Sequence, residues 1–294
     1  MRIVHVYKDY HPPVRGGIEQ TVERMARAQA DAGHDVTVLA SASGSRRSCE
    51  ERLAGVRVVR VAEWARAFSA PLCPGFPAAV RRERADVWHL HFPNPTGEVS
   101  WLLARPAGAL VVTYHSDIVR QRFALPAYAP VVRALLGRAQ VIMPTSERYL
   151  DQATLLRPHR ARCRVVPLGI DVAPLLALDA GTPAAAELRR RYGGAFVLFV
   201  GRLRYYKGVD VLLRAMRSVE APLVVVGEGP ESGRLRALGA ALGLGSRLWF
   251  AGSVDDVCLQ AHLAAAAVGV LPSTHASEAL GIAMIEYLAA GLPA

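Results

Sequence analysis

The sequence predicts an α/β chain of two doubly wound, Rossmann-like domains. Short runs rich in Val, Ile and Leu alternate with amphipathic stretches along the whole length, as expected of βαβ units around a parallel sheet covered on both faces. The stretch "IDVAPLLALDAGTPAAAE" has turn residues and no sustained period; it reads as a linker between two series. The length, 294 residues, suits two domains better than one, since domains cluster at roughly 100 to 150 residues. The expected domains are 1–175 and 176–294.

In the first series "RIVHVY" reads as a strand. "IEQTVERMARAQADAG" repeats apolar positions at helical spacing and stops at Gly33. Strands "DVTVLA", "VRVVRVA", "ADVWHLH", "ALVVTYH", "AQVIMPTS" and "CRVVPLG" follow, most of them separated by helical segments such as 101–105 and 129–138. The second series runs strand "FVLFVG", helix "VDVLLRAMRS", strand "PLVVVGEG", helix "SGRLRALGAALG", strand "LWFAGSV", helix "VCLQAHLAAA", strand "AVGVLPS" and a last helix, "GIAMIEYLAAG".

Charge is uneven. Residues 1–178 carry 24 Lys and Arg against 15 Asp and Glu, and residues 179–294 carry 11 against 10, so nearly all of the net +10 belongs to the first half. A basic surface of this kind suits nucleic acid, anionic lipid or an anionic substrate; the Arg-rich base composition is the competing explanation. Cys49, Cys73, Cys163 and Cys258 are scattered without CxxC pairing, so neither a zinc site nor a disulfide framework is indicated. The longest apolar candidate, 263–271, is about half a membrane span, and "MRIVHVYKDY" is a strand rather than a signal peptide; the expected location is the cytoplasm.

Ligands of doubly wound sheets bind outside the carboxyl ends of the strands. In "VGRLRYYKG", Arg202 and Lys207 follow such an end, where a bidentate guanidinium and a point charge suit a diphosphate; a solvated basic loop is the alternative. In "SEALGIAMIE", Glu278 and Leu280 precede Gly281 and Ile282, where bare backbone and unpaired N–H groups at a helix start favour an anion. Glu278 and Glu286 would lie roughly 10 to 12 Å apart if the rise is mostly helical, comparable with the span from ribose to hexose in a nucleotide sugar. Each carboxylate can accept from vicinal hydroxyls, although two ordinary surface acids would look the same. Gly16 and Gly17 can line a ligand at a helix start, or simply make a turn. His115 and Asp117 in "HSD" stand at another strand end. His89 and His91 share a strand face as a metal pair would, but no third ligand is evident in the sequence. "GEGPESG" misses the GxGxxG spacing, which disfavours a dinucleotide oxidoreductase, and GxxxxGK[ST] and DxD are absent from the sequence.

Taken together, "RGGIE", "TYHSD", "PTSERY", "VVPLGID", "GRLRYYKG", "VGEGPE", "FAGSV" and "LPSTHASEALGIAMIEYLAAGLP", in this order, resemble the retaining family 4 glycosyltransferases of GT-B fold over essentially the whole chain. "SEALGIAMIE" matches their E-x7-E motif. The resemblance implies two domains facing a cleft, a nucleoside diphosphate sugar as donor, no metal and no other cofactor, and front-face transfer with retention. Arg202 and Lys207 would neutralise the diphosphate. Glu286 would hold the ribose and Glu278 the donor sugar, beside Leu280, Gly281 and Ile282. His115 would approach the sugar from the first domain, and Gly16 and Gly17 would leave room for diphosphate and acceptor. Implied partners are a glycan or lipid-linked acceptor and an anionic membrane surface met by Arg81, Arg82, Arg84, Arg120 and Arg122, with no nucleic acid. "TYHSD" with "GRLRYYKG" leans towards mannosyl or related hexosyl transfer in surface polysaccharide assembly. Family members usually continue past "GLPA", so the second domain is expected to be incomplete, and an inactive truncated homologue that only binds nucleotide sugar is the alternative.

Overall fold

The computed structural model describes residues 1–14, 16–67, 69–116, 125–275 and 281–294, with backbone only at 125–127. It divides into two compact units, Met1–Leu168 and Gly169–Ala294. In the first, the elements in chain order are β1 (Arg2–Val6), α1 (Gly17–Asp31), β2 (Asp35–Ser41), β3 (Cys49–Leu53), β4 (Val56–Val61), β5 (Ala65–Ala67), β6 (Ala70–Leu72), α2 (Phe76–Arg82), β7 (Val87–Phe92), α3 (Pro95–Ala104), β8 (Ala109–Tyr114), α4 (Leu125–Arg138), β9 (Val141–Pro144) and α5 (Glu147–Gln152). The second continues with α6 (Ala173–Leu176), α7 (Pro183–Tyr192), β10 (Val197–Val200), α8 (Val209–Ala215), β11 (Leu223–Val226), α9 (Ser232–Ala241), β12 (Leu248–Gly252), α10 (Asp256–Ala265), β13 (Val268–Gly269) and α11 (Ile282–Ala289).

The first sheet has the order β3-β4-β2-β1-β7-β8-β9, parallel except for β3. Strand order reverses between β1 and β7, which makes the carboxyl end of that pair the switch point. The two-residue period of a strand assigns its faces. Val4, Val6, Trp88, Leu90 and Phe92 enter the core beneath α2 to α5, while Val36, Val38 and Ala40 pack under Val22 and Ala26 of α1. On this α1 face the central strands β1 and β7 carry His5, His89 and His91, all buried, in place of aliphatic residues.

The second sheet runs β12-β11-β10-β13, all parallel, with its switch point between β10 and β13. Val197 and Phe199 face α8 and α9, and Leu198 faces α7, α10 and α11. Full burial of each such side chain contributes about 1.5 to 3 kcal/mol.

Three sequence expectations change. The linker is not a linker: α6 lies within it and α7 begins in it, and Leu175, Leu178 and Ala185 pack into the second core, so the boundary falls at 168/169 rather than 175/176. "CRVVPLG" does not form a strand. It runs beside β9 through one bridge, Ile142 to Cys163, and two hydrogen bonds, Arg164 N to Ile142 O and Val166 N to Pro144 O. The first sheet also gains an antiparallel edge, β3, whose polar "CEERL" is held to β4 by Arg57–Glu50 and Arg60–Glu51 ion pairs.

Candidate functional site

In the second unit the site is built by glycines that let three loops close on one another. Gly201 follows β10 at φ +154, Gly227 follows β11 at φ +123, and a Cβ on Gly227 would overlap the carbonyl of Gly201. Gly229 meets the Leu203 carbonyl in the same way. Leu203 N donates to Glu228 O at 2.9 Å and Glu231 N to Leu203 O at 3.2 Å, so the segment carrying Arg202 is clamped on "GEGPE". Gly208, at φ +66, turns the chain into α8 against the Pro272 carbonyl, and Thr274 N donates to Tyr206 O at 2.9 Å. The loops after β10 and β13 are thereby locked together at the switch point.

On that platform Arg202 is exposed, and Lys207 folds back until its Cε and Nζ lie 3.6 Å from the place of a Cβ on Gly201, with its ammonium 5.9 Å from the Tyr206 ring. Gly281 is the N-cap of α11 at φ +65, a left-handed conformation that other residues adopt with strain, and Ile282 opens the helix. Among the described residues no side chain caps α11, and the start of a helix carries a partial positive charge on its first N–H groups. Glu286 is half-buried one turn on. Arg202, Lys207, Gly281, Ile282 and Glu286 thus belong to elements that converge at the carboxyl ends of β10 and β13. Glu278 and Leu280 lie outside the described residues, and so does the expected Glu278 to Glu286 separation.

In the first unit Gly16 is the N-cap of α1 and Gly17 its first residue. The buried Glu19 carboxylate rests against Gly16, where a Cβ would overlap it. His115 follows β8, 2% exposed, with its backbone N–H on Phe92 O at 3.1 Å. Its Nε2 is 3.0 Å from His91 Nδ1, and its Nδ1 is buried with no partner among the described residues. His91 Nε2 in turn lies 3.0 Å from His5 Nδ1, and His89 Nε2 lies 2.7 Å from Thr113 Oγ1. Burial lowers every one of these imidazoles: His5 to about 4, His115 to about 3, and His89 and His91 well below the ordinary value. The third partner for His89 and His91 is therefore His5, with ring nitrogens within 4.8 Å of one another. These nitrogens bind one another, Gln29 and Thr113, which identifies a hydrogen-bonded column. Asp117 lies outside the described residues.

Sequence reading missed another cluster at the ends of β1, β2 and β4. Arg66 on β5 forks onto Asp9 at 2.9 and 2.7 Å and also reaches Glu63 and Ser41. Asp9 and Glu63 are buried, and Arg66 holds the Glu63 carboxyl below its usual range. Such a pairing depends on residues 57 positions apart and has no local signal.

Comparison with known proteins fits this geometry. Residues 15–174 match the family model described as Glycosyltransferase Family 4, and residues 184–294 match Glycosyl transferases group 1. The chain is 35% identical to D-rhamnosyltransferase WbpZ of Pseudomonas aeruginosa, covering 100% of this chain and 76% of that protein. It is 31% identical to O-antigen chain mannosyltransferase C of Escherichia coli, covering 97% and 76%. Among solved structures, Anabaena HepE in complex with UDP and glucose aligns with a TM-score of 0.77 at 18% identity, covering 100% of this chain and 79% of that one. The chain belongs to glycosyltransferase family 4, and its two Rossmann-like units are those of the GT-B fold.

Proposed function

We propose that this glycosyltransferase moves a hexosyl group from a nucleoside diphosphate sugar, GDP-mannose or a UDP-sugar, to a glycan or lipid-linked acceptor in surface polysaccharide or glycolipid synthesis. Transfer is metal-independent and retains the anomeric configuration. The observation that carries the reading is the platform at the β10/β13 switch point, where Arg202, Lys207 and the start of α11, with no side-chain cap among the described residues, gather positive charge around one place.

The barrier to glycosyl transfer is departure of a diphosphate from an oxocarbenium-like centre. Fixed positive charge at the leaving oxygens lowers it without a metal. Arg202 and Lys207 supply that charge, and the N–H groups at Gly281 and Ile282 add to it. Glu286 accepts from the ribose hydroxyls, while Glu278 and His115 take the donor sugar. Gly16 and Gly17 leave room for the diphosphate and the acceptor. The acceptor attacks from the face the diphosphate leaves, and the leaving phosphate takes its proton.

Relatives named as rhamnosyl- and mannosyltransferases support a hexosyl donor, and the UDP and glucose bound by HepE support a nucleotide sugar. The family matches extend through both units and give no support to a copy that only binds. Among the described residues no helix is long and apolar enough to cross a membrane. Arg81, Arg82 and Arg84 are exposed at the end of α2, a basic surface for an anionic bilayer at about 1 kcal/mol each; Arg120 and Arg122 lie outside the described residues. Vesicle flotation without preference for anionic lipid would remove this last element.

The test is a panel of GDP- and UDP-sugars scored by slow donor hydrolysis and thermal shift, with and without chelator. One donor hydrolysed with unchanged rate in chelator is the expected result. A wild-type protein that hydrolyses none and is shifted by none refutes the reading.

A further inference from the structure

The imidazoles of the first unit form one line. Gln29 Oε1 on α1 lies 2.7 Å from His5 Nε2, His5 Nδ1 lies 3.0 Å from His91 Nε2, and His91 Nδ1 lies 3.0 Å from His115 Nε2. His89 stacks on His91 with centroids 4.5 Å apart but spends its Nε2 on Thr113, so it walls the line without joining it.

A neutral imidazole carries one N–H and one lone pair. Each link needs an N–H facing a lone pair, so three neutral rings in series must all point their protons the same way. Only two arrangements satisfy every link, and the partner at the end of the line selects between them. Gln29 presents its amide oxygen, an acceptor, so His5 donates from Nε2, and His91 and His115 donate from Nε2 in turn. His115 is left with a lone pair on Nδ1, the atom that is buried without a partner among the described residues. The reverse arrangement would bury an unpaired N–H there, and orphaned N–H groups are the rarer kind in folded proteins.

We propose that Gln29, His5 and His91 are positioning residues that fix His115 as its Nε2–H tautomer, so that Nδ1 meets the donor sugar as a hydrogen-bond acceptor for one hydroxyl. This rests on the assignment of His115 to the donor sugar. It makes an α1 residue three hydrogen bonds away part of donor selection: the sugar must bring an O–H to that place, and a deoxy or fluoro sugar at the same carbon cannot donate there.

The test reads the tautomer in the full chain labelled with 15N-histidine, by long-range 15N–1H correlation at neutral pH without ligand, with His115→Gln to assign the signal. Wild type is expected to show a pyridine-type Nδ1 and a pyrrole-type Nε2 at His115. Gln29→Lys, which offers only N–H, should reverse the pair, and Gln29→Leu should populate both tautomers. Residue 29 is half-exposed on a helix, so both variants should fold, and a merely structural role would not invert a distant ring. Donor turnover by Gln29→Lys should fall roughly tenfold to a hundredfold, the size of loss that follows removal of an outer hydrogen bond from a metal-binding histidine. A proton on Nδ1 in wild type, or a pattern indifferent to residue 29, overturns the proposal. The expected tautomer in a wild type that turns over no donor would overturn the sugar contact and the proposed function, and leave the relay.

Discussion

The backbone N–H of Val200 donates to the hydroxyl of Tyr287 at 2.8 Å. β13 pairs with β10 only over Val268 and Gly269, so at the end of β10 the sheet has no strand to receive this N–H. Tyr287 reaches back from α11 and receives it, with its ring so close to Gly269 that a Cβ there would come within 2.5 Å. One fully buried side chain thereby holds the helix of Glu286 against the platform of Arg202 and Lys207. Tyr287→Phe should cost about 1 to 3 kcal/mol for the unpaired N–H, read by urea unfolding, and should weaken donor binding in the same protein. An unchanged midpoint and unchanged donor affinity would show that the hydroxyl does not anchor α11.

Arg202→Ala and Lys207→Ala should each lower donor hydrolysis by roughly a hundredfold or more, as loss of a preorganised transition-state donor does, and leave the urea midpoint nearly unchanged. Lys207→Arg should recover only part, since a planar fork presents its charge and donors differently from the ammonium folded over Gly201. Equal loss of rate and stability would assign the two cations to folding.

Glu98 in α3 is fully buried, accepts from Asn94 N at 2.6 Å and from the Tyr128 hydroxyl, and burial raises it to about 7. The folded chain then holds this proton more tightly than the unfolded chain does. Stability should therefore fall as pH rises from the ordinary carboxyl value to about 7, by on the order of 3 kcal/mol over that window. Glu98→Gln keeps an acceptor but cannot ionise. The difference in unfolding free energy between wild type and Glu98→Gln should slope across this range, and a flat difference would contradict the raised value.

The histidine column has the opposite sign. His5 and His115 are lowered to about 4 and 3, so below the ordinary histidine value the unfolded chain takes up protons first. Stability should be full above about pH 6.5 and fall as pH drops towards 4, by about 1.4 kcal/mol per pH unit for each histidine. Urea unfolding that takes up no protons near pH 5 would rule out neutral buried imidazoles.

Much of the fold was legible because buried parallel strands read as continuous apolar runs. β1, β2, β4, β7 to β12 and most of the helices fall where the pattern puts them. β3 was not legible, since "CEERL" has neither run nor alternation; it is a strand through its antiparallel ladder with β4, whose Arg57 and Arg60 pair with its acids. The segment around α6 and α7 looked like a linker because its apolar residues follow no period, yet a core built mostly from residues 196–292 buries them. In the site, the glycines and cations of "VGRLRYYKG" could be read from the strand ends they follow.

By itself the sequence determined which residues stand at strand ends. Tertiary structure decided the neighbours. His5 and His91 are 86 positions apart and touch because β1 and β7 pair in register, and Val200 finds Tyr287 87 positions away because β13 is short. Local spacing fixes the direction of a side chain along its own strand or helix. Which partner waits there depends on strand order, and strand order is set by the packing of the whole sheet.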